Sequence, residues 1–118
     1  MKVKVRKGGN MAAQKRSTIH VTIEVDENGK ITYTKDYFQV NWWDTIKWKC
    51  KSKGHFSIHL GPQTPFDWES KHKKVTSPIE GTVKEYAVEK EYKYFVAIYD
   101  GSNLLTDDPI FIVRRHKD

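Results

Sequence analysis

The chain has 118 residues, a single cysteine and a formal net charge of +6. This length suits one domain with a sizeable core, and one cysteine excludes an internal disulfide. No apolar run reaches the ~20 residues that a membrane-spanning helix requires, and the basic N-terminus lacks the apolar stretch of a signal peptide. We therefore expect no membrane span, and a cytoplasmic protein as the sequence stands or an exported one if a signal has been removed.

The excess positive charge lies at the N-terminus. Residues 1–16 contain six lysine or arginine residues and no acidic residue, whereas residues 17–118 contain 15 basic and 15 acidic residues. Gly8 and Gly9 interrupt the basic segment, which has few apolar side chains. Such a composition favours disorder over packing. We predict a disordered basic leader over residues 1–16, dispensable for folding, and one folded domain over residues 17–118.

From residue 17 onwards, apolar and polar residues alternate, which is the period of a half-buried strand. The Asn28-Gly29 pair marks a tight turn between the first two strands. The predicted strands cover residues 19–25, 31–34, 46–51, 55–60, 82–88, 91–99 and 110–113. The pattern predicts an all-β fold, a Greek-key antiparallel β-sandwich of about seven strands.

One short helix is predicted in the excursion that follows the fourth strand. The segment Thr64-Pro65-Phe66-Asp67 has the layout of a helix start, with an N-cap threonine, a proline at the first helical position and an acid in the first turn. The lysines of residues 71–74 would then lie in the last turn, where positive charge is favourable. We therefore expect one helix near residues 65–73.

Several motifs in chain order resemble one known family. Residues 40–48, VNWWDTIKW, are similar to a strand that carries a Gly-Asp pair before a tryptophan, with Trp43 in place of the glycine. Residues 92–96 and 108–113 are similar to its last two strands. The family is the cupredoxins, the Greek-key sandwiches of the blue-copper proteins. The resemblance covers residues 17–114, implies a cupredoxin-like fold, and puts His55 where the family has its first copper-binding histidine.

The resemblance does not extend to the rest of a copper site. Cupredoxins take a cysteine, a second histidine and a methionine from the loop between their last two strands. The corresponding loop here, residues 97–109, contains none of these residue types. Cys50 shares strand parity with Ile46 and Trp48, so we expect a buried and inert thiol. The expectation is a fold without a type 1 copper site and without a cofactor.

Two histidines follow Cys50 closely. His55 and His59 share a face of a predicted strand but stand ~13 Å apart, at ~3.3 Å per residue. Each nitrogen bound to zinc lies ~2 Å from the ion, so one ion cannot bind both. A weaker metal site that pairs His55 with Asp107 or Asp108 stays open as an alternative.

A stripe of lysines follows one side of the third predicted long strand and the turn after it: Lys47, Lys49, Lys51 and Lys53. These side chains can form a solvated sheet face that also discourages edge-to-edge aggregation. They can instead bind an anionic polymer, a nucleic acid or an acidic glycan, by charge and stacking. The candidate residues for anionic-polymer binding also include Trp68, Lys71, Lys73 and Lys74.

No catalytic motif is present in the sequence: there is no nucleophile elbow, no phosphate-binding glycine loop and no HExxH pair. We therefore expect a non-enzymatic, non-catalytic binding or interaction module without a type 1 copper site, such as an accessory domain of a bacterial system. The expected partner is a protein of unknown identity. Metal binding through His55 and anionic-polymer binding through the lysines are the two alternatives.

Overall fold

The computed structural model describes residues 16–115, which form eleven strands and no helix. The strands are β1 (Thr18–Val25), β2 (Ile31–Tyr33), β3 (Gln39–Asn41), β4 (Thr45–Lys51), β5 (His55–His59), β6 (Ser70–Lys74), β7 (Ile79–Thr82), β8 (Glu91–Lys93), β9 (Phe95–Tyr99), β10 (Leu104–Asp107) and β11 (Ile110–Arg114). The all-β prediction is confirmed. Across this part of the chain, no helix is long and apolar enough to cross a membrane. Apart from Arg16, the predicted leader lies outside the described residues.

The strands form three sheets around one core. The first sheet has the order β2-β1-β4-β7, the second β10-β9-β5-β6 and the third β3-β11-β8. Buried side chains from all three sheets belong to a single cluster. The predicted antiparallel arrangement holds throughout the second sheet, whereas β1 pairs with β4, and β3 with β11, in parallel. Parallel neighbours require a crossover connection, and the segment between β1 and β4 supplies one by contributing β2 and β3 on the way.

The helix predicted near residues 65–73 is wrong. Thr64 Oγ1 accepts a hydrogen bond from Phe66 N at 3.1 Å, so the predicted cap forms a local turn only. The Phe66 ring is fully buried and stacks on Trp68 with centroids 5.0 Å apart. Residues two apart do not face each other on a helix, so this stacking requires another backbone path.

The end of the predicted helix is an edge strand instead. Residues 70–74 form β6, which pairs with β5 from His59↔Ser70 to His55↔Lys74. A short isolated helix is marginal in water, whereas β5 offers unpaired backbone groups on its open side. Backbone pairing with β5 and burial of Phe66 therefore outweigh the local preference for a helix.

The strand predicted over residues 82–88 is also misplaced. β7 ends at Thr82, where the prediction began a strand. Val83 N then donates to Asp44 O at 2.9 Å, and Trp43 N donates to Val83 O at 2.8 Å. These bonds attach the segment after β7 to the β3–β4 turn instead of to a neighbouring strand. The following residues include Tyr86, whose φ of 68° belongs to the left-handed region and not to a strand.

The strand predicted over residues 91–99 divides into β8 and β9, which lie in different sheets. The division is at Tyr94, whose backbone N donates to Pro109 O at 3.0 Å. The predicted side-chain parity is nevertheless correct across the division. The residues predicted to share one face are all buried: Tyr92, Tyr94, Val96 and Ile98.

Trp48 lies at the centre of the core and is fully buried. Its indole contacts four aromatic rings, with centroids 5.4 Å from Tyr94, 6.0 Å from Phe66 and 6.5 Å from both Trp68 and Phe111. The indole Nε1 donates to the Tyr94 hydroxyl at 3.3 Å, which satisfies the one polar atom of the buried indole. The expected burial of Trp48 and Cys50 on the inner side of β4 is confirmed.

We predict that Trp48→Ala lowers the free energy of unfolding by ~3–5 kcal/mol, because it removes the ring that four others contact. The matched control is Lys49→Glu, one position along the same strand, where the side chain is exposed; the expected change is within about 0.5 kcal/mol. Urea titration followed by fluorescence of the remaining tryptophans measures both. A costly Lys49→Glu together with a tolerated Trp48→Ala would contradict the parity of β4.

Candidate functional site

The region around His55 is closed by a tight hairpin between β9 and β10. Asp100 Oδ1 accepts hydrogen bonds from the backbone N of Asn103 at 2.7 Å and of Ser102 at 2.8 Å. These bonds stabilise the carboxylate and lower the pKa of Asp100. Gly54, with a φ of 90°, packs its α-carbon against the backbone of Tyr99 and Asp100, where a Cβ would collide. Residues 100–103 alone join β9 to β10.

The residues present do not fit a type 1 copper site. The hairpin offers no cysteine, histidine or methionine. The chain's one thiol, that of Cys50, is buried on the inner side of β4, and burial raises its pKa to about 11. His55 is exposed at the start of β5, where Phe56 and Ile58 take the inward positions. Since side chains alternate along a strand, His55 points away from the core that holds Cys50.

The structure does not bring His55 together with the two predicted acidic partners. Asp107 pairs with Val96 and therefore lies on the inner side of the second sheet, opposite to His55. Its Oδ2 accepts a hydrogen bond from the Tyr33 hydroxyl at 2.8 Å, and burial together with this bond raises the pKa of Tyr33. Asp108 forms an ion pair with Lys93 at 3.6 Å. Within residues 16–115, no group of three or more His, Cys, Asp or Glu side chains is placed to hold a metal ion.

The neighbour of His55 is another histidine instead. His72, on β6, lies diagonally across from it, and the two imidazole centroids are 5.8 Å apart. Two nitrogens that bind one ion at ~2.0–2.1 Å place their ring centroids roughly 5–6 Å apart. The centroid separation of His55 and His72 lies within this range.

The lysine stripe on β4 is partly neutralised by acidic neighbours. Lys47 forms an ion pair with Glu80 of β7 at 3.8 Å, and Lys51 forms one with Glu24 of β1 at 3.9 Å. Lys49 lies between them, beside Thr22. Lys53 lies in the β4–β5 turn, where its charge contributes to the lowered pKa of Asp100. The outer face of the first sheet therefore mixes both signs of charge.

The remaining predicted binding residues lie on or beside β6 in the second sheet. The Lys71 ammonium lies 5.3 Å from the centroid of the Trp68 ring. Lys74 pairs with His55 and shares its face, whereas Lys73 pairs with Phe56 on the opposite face. Lys73 and Lys74 therefore do not extend the stripe of β4, which belongs to another sheet, whereas Trp68 and Lys71 lie beside Glu80, the ion-pair partner of Lys47.

An apolar surface that was not predicted from the sequence lies on the outer side of the second sheet. Phe95 is 53% exposed, Tyr99 48% and Leu104 66%. Tyr99 and Leu104, together with His55 and His72, surround the small side chains of Ser57 and Ala97 and line a shallow cavity of about 340 Å³. Phe95 lies on the same face of the sheet, opposite His59. Large apolar side chains are thus exposed around a depression rather than scattered singly, which is typical of an interaction surface.

This surface, here called the histidine face, carries basic and neutral groups. By strand register, its side chains are those of His55, Ser57, His59, Ser70, His72, Lys74, Phe95, Ala97, Tyr99, Leu104 and Thr106. None of these strand residues is acidic. One signal in the sequence indicates this face: residues 94–99, YFVAIY, are apolar at every position, whereas a strand with one solvent-exposed face alternates apolar and polar residues.

Comparison with known proteins indicates the fold of this chain. No protein-family description and no curated protein sequence matches the chain. Among solved structures, it is similar to a pseudoazurin from Sinorhizobium at 16% sequence identity, with a TM-score of 0.50 over 85% of this chain and 75% of that one. A native pseudoazurin from Hyphomicrobium denitrificans is 13% identical, with a TM-score of 0.49 over 85% and 76% of the two chains. At such identities the likeness concerns architecture alone. With the resemblance of the strand motifs, it identifies the chain as a cupredoxin-like β-sandwich.

Proposed function

We propose that the protein is a non-catalytic binding module, without a type 1 copper site, that docks a protein partner on the histidine face. The observation that carries this proposal is the exposure of Phe95, Tyr99 and Leu104 on one side of the second sheet. Aromatic side chains are enriched in the buried centres of protein interfaces. Exposing three large apolar groups together is unfavourable in water unless a partner covers them.

The charge of the face defines the chemistry of the partner. Lys74 and three histidines surround the apolar centre, and the face's strand residues include no carboxylate. A partner with an apolar side chain for the depression and an acidic rim is complementary to this arrangement. A symmetric pairing of two copies would instead bring together two faces that both carry Lys74, with no strand carboxylate on either face to neutralise it. The proposed occupant is therefore a different protein with an acidic rim.

The proposal of a missing type 1 site predicts the optical spectrum of the copper-loaded protein. Copper–thiolate bonding gives blue-copper sites their electronic character, and the Cys50 thiol is buried away from His55. Stoichiometric Cu(II) should therefore produce no intense blue absorption. An intense blue colour that Cys50→Ala removes would overturn this part of the proposal.

Docking on the histidine face can be tested with a photocrosslinking amino acid in cells that express the protein. Placed at Ala97, in the centre of the face, it should give a discrete crosslinked product. The same group at Thr22, on the outer side of the first sheet, is the matched control and should give none. Adding Phe95→Lys to the Ala97 probe should abolish the product, since a lysine in place of an apolar contact residue opposes desolvation.

The mass of the product distinguishes the possible occupants. A product that contains a second protein with an acidic surface supports the proposal. Equal crosslinking from Ala97 and Thr22, or a product that survives Phe95→Lys, would contradict docking on this face. A product with twice the mass of the chain would replace the proposed partner by a second copy.

Metal binding through His55 is a second candidate function, because its ring lies 5.8 Å from that of His72. Imidazole nitrogen is a good ligand for Zn(II) and Cu(II). Two protein ligands leave the other coordination positions to water or to a partner, so we expect a modest affinity. The pairing differs from the predicted one, since a histidine replaces Asp107 or Asp108.

Zn(II) titration calorimetry tests this candidate. His72→Ala should remove the binding that the unaltered protein shows, because one imidazole is lost from the pair. His59→Ala is the control: this residue lies on the same face of β5, and its ring lies 6.5 Å from that of Phe95. If both variants weaken Zn(II) binding equally, or if His72→Ala has no effect, the His55–His72 site is excluded.

A further inference from the structure

A groove with two tryptophans lies at the edge of the first sheet, away from the histidine face. Trp43 comes from the β3–β4 turn and Trp68 from the segment before β6, and both line a cavity of about 390 Å³. One side of Trp68 stacks on buried Phe66. Both indoles are partly exposed. This cavity, here called the tryptophan groove, therefore has a partly exposed indole on each of two walls.

The walls of the groove are held together by hydrogen bonds. Trp68 Nε1 donates to Glu80 O at 3.1 Å, which ties one wall to β7. Trp43 N donates to Val83 O at 2.8 Å, which ties the other wall to the residues after β7. Lys84 N donates to Pro65 O at 2.9 Å between these segments. The groove is therefore preformed, and a ligand would not have to order it.

Trp43 has a backbone conformation that is unfavourable for its side chain. Its φ is 75°, in the left-handed region that glycine adopts freely and bulky residues avoid. The turn is fixed by Asp44, whose carboxylate accepts from Asn41 N at 3.0 Å and from Ser17 N at 2.9 Å. Strained residues that their surroundings hold in place cluster at functional sites. Here the strain places an indole in the groove, where glycine would leave a gap.

The charges that line the groove are balanced. Two are positive, those of Lys71 and Lys84, and two are negative, those of Asp67 and Glu80. Glu80 also pairs with Lys47 outside the groove. A strongly anionic ligand would meet two carboxylates, and a strongly cationic one would meet two ammonium groups. The lining offers donors and acceptors together, beside flat apolar rings, which suits a neutral ligand with many hydroxyl groups.

We propose that the tryptophan groove binds a neutral oligosaccharide, with sugar rings against the indoles of both Trp43 and Trp68 and hydroxyls bonded to the charged side chains. Lys71, whose ammonium lies 5.3 Å from the Trp68 centroid, is exposed and able to turn towards a hydroxyl. The site shares no lining residue with the depression on the histidine face. The proposal of oligosaccharide binding is therefore independent of the proposed protein partner.

The test uses the full chain, labelled with ¹⁵N, and a panel of neutral trisaccharides: cellotriose, maltotriose and chitotriose in its N-acetylated form. A sulfated heparin tetrasaccharide and a single-stranded oligonucleotide serve as anionic probes. The expected result is that at least one neutral trisaccharide shifts the indole N–H resonances of Trp43 and Trp68 and leaves that of buried Trp48 in place. Shifts caused by the anionic probes alone, or by no probe, overturn the proposal.

Trp43→Gly separates binding from folding. Glycine adopts the required φ without steric cost, so this variant should fold and lose affinity on the order of tenfold or more, as an aromatic contact is removed. Tyr86→Gly is the matched control, because Tyr86 also has a positive φ, 68°, but does not line the groove. It should bind the trisaccharide with unchanged affinity. Loss of binding in both variants, or in neither, contradicts the proposal.

Asp67→Ala gives a second measure that does not depend on the Trp43 turn. Asp67 is exposed and lines the groove, so its removal should leave the melting temperature unchanged and reduce affinity several-fold through the loss of a hydrogen-bond acceptor. Phe95→Lys, on the histidine face, should leave trisaccharide binding intact. Unchanged affinity in Asp67→Ala, or a loss in Phe95→Lys, would place the sugar elsewhere on the molecule.

Discussion

The packing of Phe66 and Trp68 against the indole of Trp48 is the contact on which most of the architecture depends. Trp48 comes from the first sheet, whereas its two partners come from the long connection between β5 and β6. By holding that connection over the open end of the core, the contact also directs the chain into β6 and places Trp68 beside β7. Burying large aromatic surface is the strongest favourable term available to a domain of this size. The same contact that completes the core therefore builds one wall of the tryptophan groove.

A second constraint is the carboxylate of Asp44, the buried charged side chain of the described region. A buried carboxylate is costly unless its oxygens accept hydrogen bonds, and here they accept from the backbone N of Asn41 and Ser17. The backbone of Asp44 also accepts from Val83 N. One residue thus connects the start of β1, the β3–β4 turn and the segment after β7. This network holds Trp43 at a positive φ and gives the groove its second wall.

The outer faces of the two four-stranded sheets differ in the charged and apolar side chains that they expose. On the first sheet, lysines alternate with inward residues along β4, and glutamates of β1 and β7 pair with two of them. Such exposed pairs contribute little to stability and leave a well-hydrated, mixed surface. On the second sheet, β9 carries apolar side chains on both sides, and the outward ones stand beside histidines of β5 and β6. The proposed interaction surface therefore arises on the sheet whose outer face carries fewer charged side chains, and not on the lysine stripe of β4.

Local periodicity in the sequence determined the all-β class, the burial of Trp48 and Cys50, the parity of residues 92–98 and the turn at Asn28-Gly29, because alternation and turn chemistry act between near neighbours. The sequence also showed directly that the hairpin after β9 contains none of the residue types that bind copper in cupredoxins. Tertiary structure alone decided that residues 70–74 pair with β5, that residues 83–88 follow the β3–β4 turn, and that His55 faces His72 rather than Asp107. In each case the deciding partner is distant in sequence: an open strand edge, a buried carboxylate, or a register across two strands. Local propensity differs by only about 1 kcal/mol between alternatives, and such long-range pairing and burial outweigh it.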